Sequence, residues 1–270
     1  MRISIRHSTH YGYDGRGSFA VQRLRLTPTD NRAQTVRAWA IRAKGIEHAA
    51  EYVDGFGNPV HLVTHCKPYE ELTIIAEGEV DTLDTGGVVG YIDETANPRL
   101  FLKPTVLTQS SPGIEAMAGE TRAATPLGRL HELLGMIAAR VAYDTSSTGS
   151  DTTAAQAYAA GQGVCQDHAH IFIAAARQLD VPARYVTGYL LLEEETSAVA
   201  HHAWAEAFIS DLGWVGFDPA NNICPTDRYV RLGCGFDAAA AAPIAGSRRG
   251  GGAERLTVDV VVRQQQQQQQ

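Results

Sequence analysis

Cysteine is scarce in this chain. The four cysteines, at 66, 165, 224 and 234, stand far apart, with no Cys-x-x-Cys pair and no clustered framework. That pattern excludes a disulfide scaffold and fits a reducing compartment in which a lone thiol persists. Basic excess is also missing. The net charge of −7 argues against a phosphate-binding surface, so nucleic acid is not an expected partner. No run approaches the ~18 apolar residues of a membrane helix, which removes the membrane as a partner. The opening residues, MRISIRHSTHYGYDG, alternate rather than form an apolar block, so they do not read as a signal peptide. A cytoplasmic location is expected. There is no internal repeat and no acidic calcium-binding loop of the EF-hand type.

What is present is enough hydrophobic residue, 44% of 270, to build one large domain or two of ordinary size. The first 80 residues read as β structure. Ile3, Ile5 and His7 alternate with polar neighbours, and strand-like runs follow at 21–26, 36–41, 51–56, 60–63 and 72–80. Tyr13-Asp14-Gly15, the 27–31 run Thr-Pro-Thr-Asp-Asn and Asp54 to Pro59 supply turn signals between them. Short strands at this spacing predict a β-sandwich-like domain over 1–100.

A second domain, 101–263, is predicted to be α+β. Residues 114–118 form a short helical candidate, and 126–141 carry Leu127, Leu130, Leu134, Ile137 and Val141 on one helical face. That stripe reads as packing, not as a cofactor site. A polar loop from Tyr143 and a candidate helix at 153–160 precede a helix from Val164 that ends before Asp180-Val181-Pro182. Strands return at 183–193, 201–210 and 213–219. The last two pair as a hairpin through Asp211-Leu212-Gly213. The Ala/Gly-rich stretch 238–252 reads as flexible, 256–263 as a final strand, and the glutamines 264–270 as disordered.

The chemistry gathers around GQGVCQDHAH, 161–170. A cysteine in the first turn of a helix meets unsatisfied N–H groups and the positive end of the dipole, which favour a thiolate. The same N–H groups can hold a carbonyl oxygen as it turns negative. A thiol needs an oriented base. His202 in HHAWAEAFI and Asp218 in GWVGFDP are the candidates. A three-residue turn at 211–213, pairing 210 with 214, puts both on one side of the hairpin but leaves Asp218 offset along the strand, so a bulge or strong twist is expected. Gln162, Gln166 and Tyr158 are candidates for the oxyanion site or cleft, while Trp204 and Trp214 either wall the cleft or fill the core. Glu206 suits a structural pairing with Arg184. His201 competes with His202 but points to the other strand face. Asp167 suits the helix N-terminus or a neighbouring loop. Cys165, Asp167 and His168 are too few for a closed zinc site, so no metal is expected. Cys66, Cys224 and Cys234 read as packing residues.

Four segments in order, Gly161 to Ala169, Val181 to Tyr189, His202 to Glu206 and Gly213 to Pro219, resemble the bacterial transglutaminase-like superfamily, whose members are often described as cysteine proteases. The resemblance spans about 115–235, and the N-terminal region is similar to the domain that commonly precedes this core in bacteria. It implies a papain-like α+β core with Cys165 as nucleophile, His202 as base and Asp218 as its orienter, and no cofactor. The expected activity is acyl transfer on a protein or peptide substrate, read as hydrolysis of a peptide or isopeptide bond. Transfer to an amine, as in a transglutaminase, is the alternative, and a non-catalytic interaction scaffold is a further one.

Overall fold

Alternate burial runs the length of the first strand, which explains its reach. The computed structural model describes residues 1–92, 96–192 and 201–265. Strand β1 (Arg2–Leu24) turns Ile3, Ile5, His7 and Thr9 inward. It continues through Tyr13-Asp14-Gly15, where a turn is predicted. A register shift between Gly12 and Gly17 takes the place of that turn. Strands β2 (Gln34–Ala43), β3 (Ala50–Val53), β4 (Pro59–His65) and β5 (Tyr69–Thr82) follow, close to the predicted runs. β5 pairs with the first half of β1 and β4 with the second half, while β2 and β3 extend each wing outward. Ile3, Ile5, Ile74 and Val80 from one wing share a core with Leu24 and Val63 from the other, a sandwich-like arrangement.

The second layer is helices on an antiparallel sheet. β6 (Val88–Gly90) is followed by α1 (Pro112–Gly119), capped by the Ser111 hydroxyl, and α2 (Pro126–Arg140), capped by Thr125. Both caps accept a backbone N–H that the helix cannot satisfy internally. Next come β7 (Ala142–Tyr143), α3 (Ala154–Ala160), β8 (Gln162–Gly163) and α4 (Cys165–Gln178). Then β9 (Ala183–Leu190), β10 (His201–Ile209), β11 (Gly213–Phe217) and β12 (Tyr229–Gly235) form a sheet in the order β12-β9-β10-β11-β6. The strand expected to reach residue 193 ends at Leu190, and Glu193 itself lies outside the described residues. Ala203, Ala205 and Ala207 are small enough to let α4 lie close on β10, with Phe172 stacked on Phe217.

The chain then returns to its beginning. After α5 (Ala238–Ala241), β13 (Ile244–Gly250) pairs with the second half of β1 and β14 (Glu254–Gln264) with the first half. The 238–252 stretch, expected to be flexible, is therefore a short helix capped by Asp237 and a strand. Ladder bonds to β1 supply the order that an Ala/Gly-rich composition does not. The predicted strand at 256–263 and the unpredicted β13, both within the region assigned to the core, belong to the first sheet, and β6 belongs to the second. The division near residue 100 separates neither sheet cleanly. Gln264 closes the β14 ladder and Gln265 N–H donates to the Arg2 carbonyl, so the expected disorder does not begin at 264; residues 266–270 lie outside the described residues. No helix among the described residues is long and apolar enough to cross a membrane.

Candidate active site

Local chemistry fixes the start of α4. Gly161 ends α3 at φ 68°, a left-handed conformation that favours glycine. Two residues later, Gly163 leaves room for a carboxylate. A Cβ there would sit 2.7 Å from Asp167 Cβ. Asp167 Oδ2 accepts the Val164 N–H at 2.8 Å and the Thr148 hydroxyl at 2.6 Å. It thus caps the helix and anchors the polar loop, both roles foreseen for it. Cys165 opens the helix, half-buried, beside N–H groups with no intrahelical partner.

His202 is nearly fully buried near the start of β10. The hairpin loop is 210–212, not 211–213, because Gly213 at φ 76° is itself paired with Ile209. This shift by one ladder step makes Trp204 and Asp218 the next pair beyond Ala205 and Phe217. Asp218 therefore lies one pleat from His202, on the same side, and no bulge interrupts this ladder. His202 Nε2 is 2.6 Å from Asp218 Oδ2. The Cys165 side chain lies near enough to the ring to act on its charge. Burial pulls the imidazole pKa down. The hydrogen bond to Asp218 and the interaction with Cys165, and the charge they carry, outweigh burial and push it up to about 10.

The carboxylate is the most heavily bonded group in the site. Asp218 Oδ2 also accepts the Asn221 side-chain N–H at 2.7 Å and the Tyr229 hydroxyl at 2.7 Å. Oδ1 accepts the backbone N–H groups of Ala220 at 3.1 Å and Asn221 at 3.3 Å. Burial would raise its pKa, but these bonds, led by that to His202, hold it below the ordinary carboxylate range.

The other predicted site residues separate by environment. Trp204 is buried and stacks beside the His202 ring, 6.3 Å between centroids. Gly188 makes room for it, since a Cβ there would meet the indole at 2.6 Å. Trp214 is core: it is 1% exposed, with the Arg184 guanidinium 3.7 Å over its ring. Gln166 donates to the Ser150 carbonyl, Gln162 is exposed on β8, and the Tyr158 hydroxyl accepts from Arg140. Glu206 joins Arg184, as expected, and also Arg231, in a buried ion triad. Both ring nitrogens of His168 face backbone carbonyls, and His201 bonds Thr187. Burial pushes the Cys224 thiol up to about 11, Cys234 is buried, and Cys66 is exposed.

Sequence reasoning missed Asn221, Tyr229 and Tyr143. Asn221 had a signal, since Asp-Pro-Ala-Asn is an Asx-turn pattern. Tyr229 had none, arriving from another strand. Tyr143 pairs with Gly163 in the β7–β8 bridge and is half-exposed; burial and then the neighbouring Cys165 and Asp218 raise its phenol pKa.

Two regions of the chain match known families. Residues 115–219 match the model of the transglutaminase-like superfamily, and residues 3–81 match the bacterial transglutaminase-like N-terminal region. An uncharacterized protein of Mycobacterium leprae (strain TN) is 28% identical over 271 residues, covering 91% of this chain and 92% of the relative. An uncharacterized protein of Mycobacterium tuberculosis (strain ATCC 25618 / H37Rv) is 28% identical over 272 residues, covering 91% and 87%. A crystal structure from Cytophaga hutchinsonii, a "Putative Cysteine Protease", shares the fold with a TM-score of 0.76 at 24% identity, covering 97% of this chain and 90% of that one.

Proposed function

We propose that this chain, which joins a bacterial transglutaminase-like N-terminal region to a transglutaminase-like core, is a thiol-dependent acyl-transfer enzyme. Its substrate is a protein or peptide, and its reaction is hydrolysis of a peptide or isopeptide bond. One observation carries the reading. A buried imidazole, bonded to a carboxylate held by five donors, feels a half-buried thiol at a helix N-terminus.

In this reading the Cys165 proton passes to His202, and the sulfur attacks the carbonyl carbon. The oxygen turns negative within reach of the first backbone N–H groups of α4. His202, now an imidazolium held by Asp218, gives its proton to the nitrogen as the C–N bond breaks, leaving a thioester on Cys165. Water, deprotonated by His202, attacks the thioester and releases the acid. Four free, scattered thiols suit a reducing compartment, and we place the enzyme in the cytoplasm.

The test is mass spectrometry of a peptide library incubated with wild type and Cys165→Ala, with and without a primary amine. Wild type is expected to give cleaved peptides. Cys165→Ala is expected to give none while keeping its thermal transition. Amine-bearing products in place of cleavage would assign amine transfer, and unchanged turnover in the variant would discard the mechanism.

A further inference from the structure

We infer that Tyr229 is a positioning residue of this site, one that fixes Asp218 and, through it, the His202 ring. The inference rests on the reaction proposed above. Tyr229 is the first residue of β12, the edge strand of the second sheet. Its hydroxyl donates to Asp218 Oδ2 at 2.7 Å. Its ring packs edge-on against His202, 5.9 Å between centroids, and against Trp204, 5.5 Å. One side chain therefore touches both the carboxylate and the imidazole, from an element that carries neither.

Asp218 stands just past the end of β11, where only the isolated bridge to Ile223 continues the ladder. A carboxylate there can turn about its own side-chain bonds. Two backbone N–H groups of its own turn hold Oδ1, and three donors hold Oδ2: His202, Asn221 and Tyr229. Asn221 belongs to the same turn as Asp218 and moves with it. Besides His202 on β10, Tyr229 is the donor anchored outside that turn. Burial first, then the charge of Asp218, raises the phenol pKa far above the working range, so the hydroxyl stays a donor.

The anchor is itself held by the N-terminal region. Gln34 gives its amide N–H to the Arg231 carbonyl at 2.9 Å and accepts the Arg231 N–H at 2.8 Å. Asn58 does the same for Cys234, at 2.8 and 2.9 Å. Two side-chain amides thus replace the neighbour strand that the edge of β12 lacks. This gives the N-terminal region a part in the site.

The experiment follows the rate at which iodoacetamide alkylates Cys165, against pH, in wild type, Tyr229→Phe and Asn221→Ala. Only the thiolate reacts, so the rate below about pH 8 reads the thiolate–imidazolium pair, and the rate well above the ordinary thiol pKa of about 8.5 reads any accessible thiolate. The ratio of the two is unaffected by a change in access or packing. Tyr229→Phe keeps the ring and removes the hydroxyl, and is expected to lower that ratio about tenfold, as loss of a hydrogen bond to a charged group does. Asn221→Ala is expected to lower it in the same direction and carries the test if the Phe variant does not fold. A wild-type ratio in Tyr229→Phe, or in Asn221→Ala where the Phe variant does not fold, would overturn the inference. If wild-type Cys165 shows no rapid phase at neutral pH, the underlying reaction itself is refuted instead.

Discussion

At the scale of single residues, the proposed reaction depends on charge held at one carboxylate. Asp218→Asn keeps the shape and removes the charge that favours the imidazolium. His202 should fall from about 10 toward its ordinary value, so the alkaline limb of the pH–rate profile moves to lower pH. Turnover should drop by about a hundredfold or more, as when a neutral amide leaves the imidazole in the wrong tautomer. Steady-state kinetics across pH check both; an unmoved limb would show that Asp218 does not set the base. The settings of Cys165, His202 and Asp218 were legible because each sits in a short run whose neighbours restrict it: two glycines, a strand with alternating aromatics, and a turn after a strand. Tyr229 was not legible. Its contact with Asp218 spans eleven positions and a change of strand, a relation that no local period encodes.

At the scale of elements, the start of α4 is a fitted part. Gly163 admits the Asp167 carboxylate, which caps the helix and ties down Thr148. Gly163→Ala would press a methyl into Asp167. It is expected to cost about 1–3 kcal/mol, as overpacking does, and to slow Cys165 alkylation because the first turn must shift. Thermal unfolding together with labelling rate measures this; a variant with wild-type values in both would remove Gly163 from the account. Helix positions were readable from their caps and apolar spacing. Hairpin register was not. Whether Gly213 closes the loop or opens the strand depends on its paired, left-handed conformation, and one ladder step decides whether Asp218 is near His202 or two pleats away.

At the scale of the whole molecule, β1 holds the two ends of the chain together. A chain ending at residue 243 leaves both halves of β1 with bare edges, and is expected to lose cooperative thermal unfolding. A sharp transition in that fragment would contradict the shared-sheet reading. The returning strands could not be assigned from sequence, since the alternation in 254–264 fits the edge of either sheet. Stability should also carry a pH signature. Burial, with the nearby His201, lowers His7 to about 3, and burial lowers His170 to about 4. The unfolded chain protonates both near 6.5, so each contributes stability above that pH that is lost on acidification, up to ~1.4 kcal/mol per pH unit. His202, raised to about 10, acts in the opposite sense: its contribution is complete below about 6.5 and is lost as pH climbs toward 10. The unfolding temperature should therefore peak near pH 6.5, and a flat profile between pH 5 and 9 would refute the assignment of these three rings.

The most direct measurement is competition between two thiols of one molecule. Cys66 is exposed and Cys165 only half so, which means that access alone favours Cys66. Brief treatment with substoichiometric iodoacetamide near pH 6.5, followed by peptide mass spectrometry, should place the first adduct on Cys165. Labelling of Cys66 ahead of Cys165 would show that His202 and Asp218 do not activate the sulfur, and the enzymatic reading would fall.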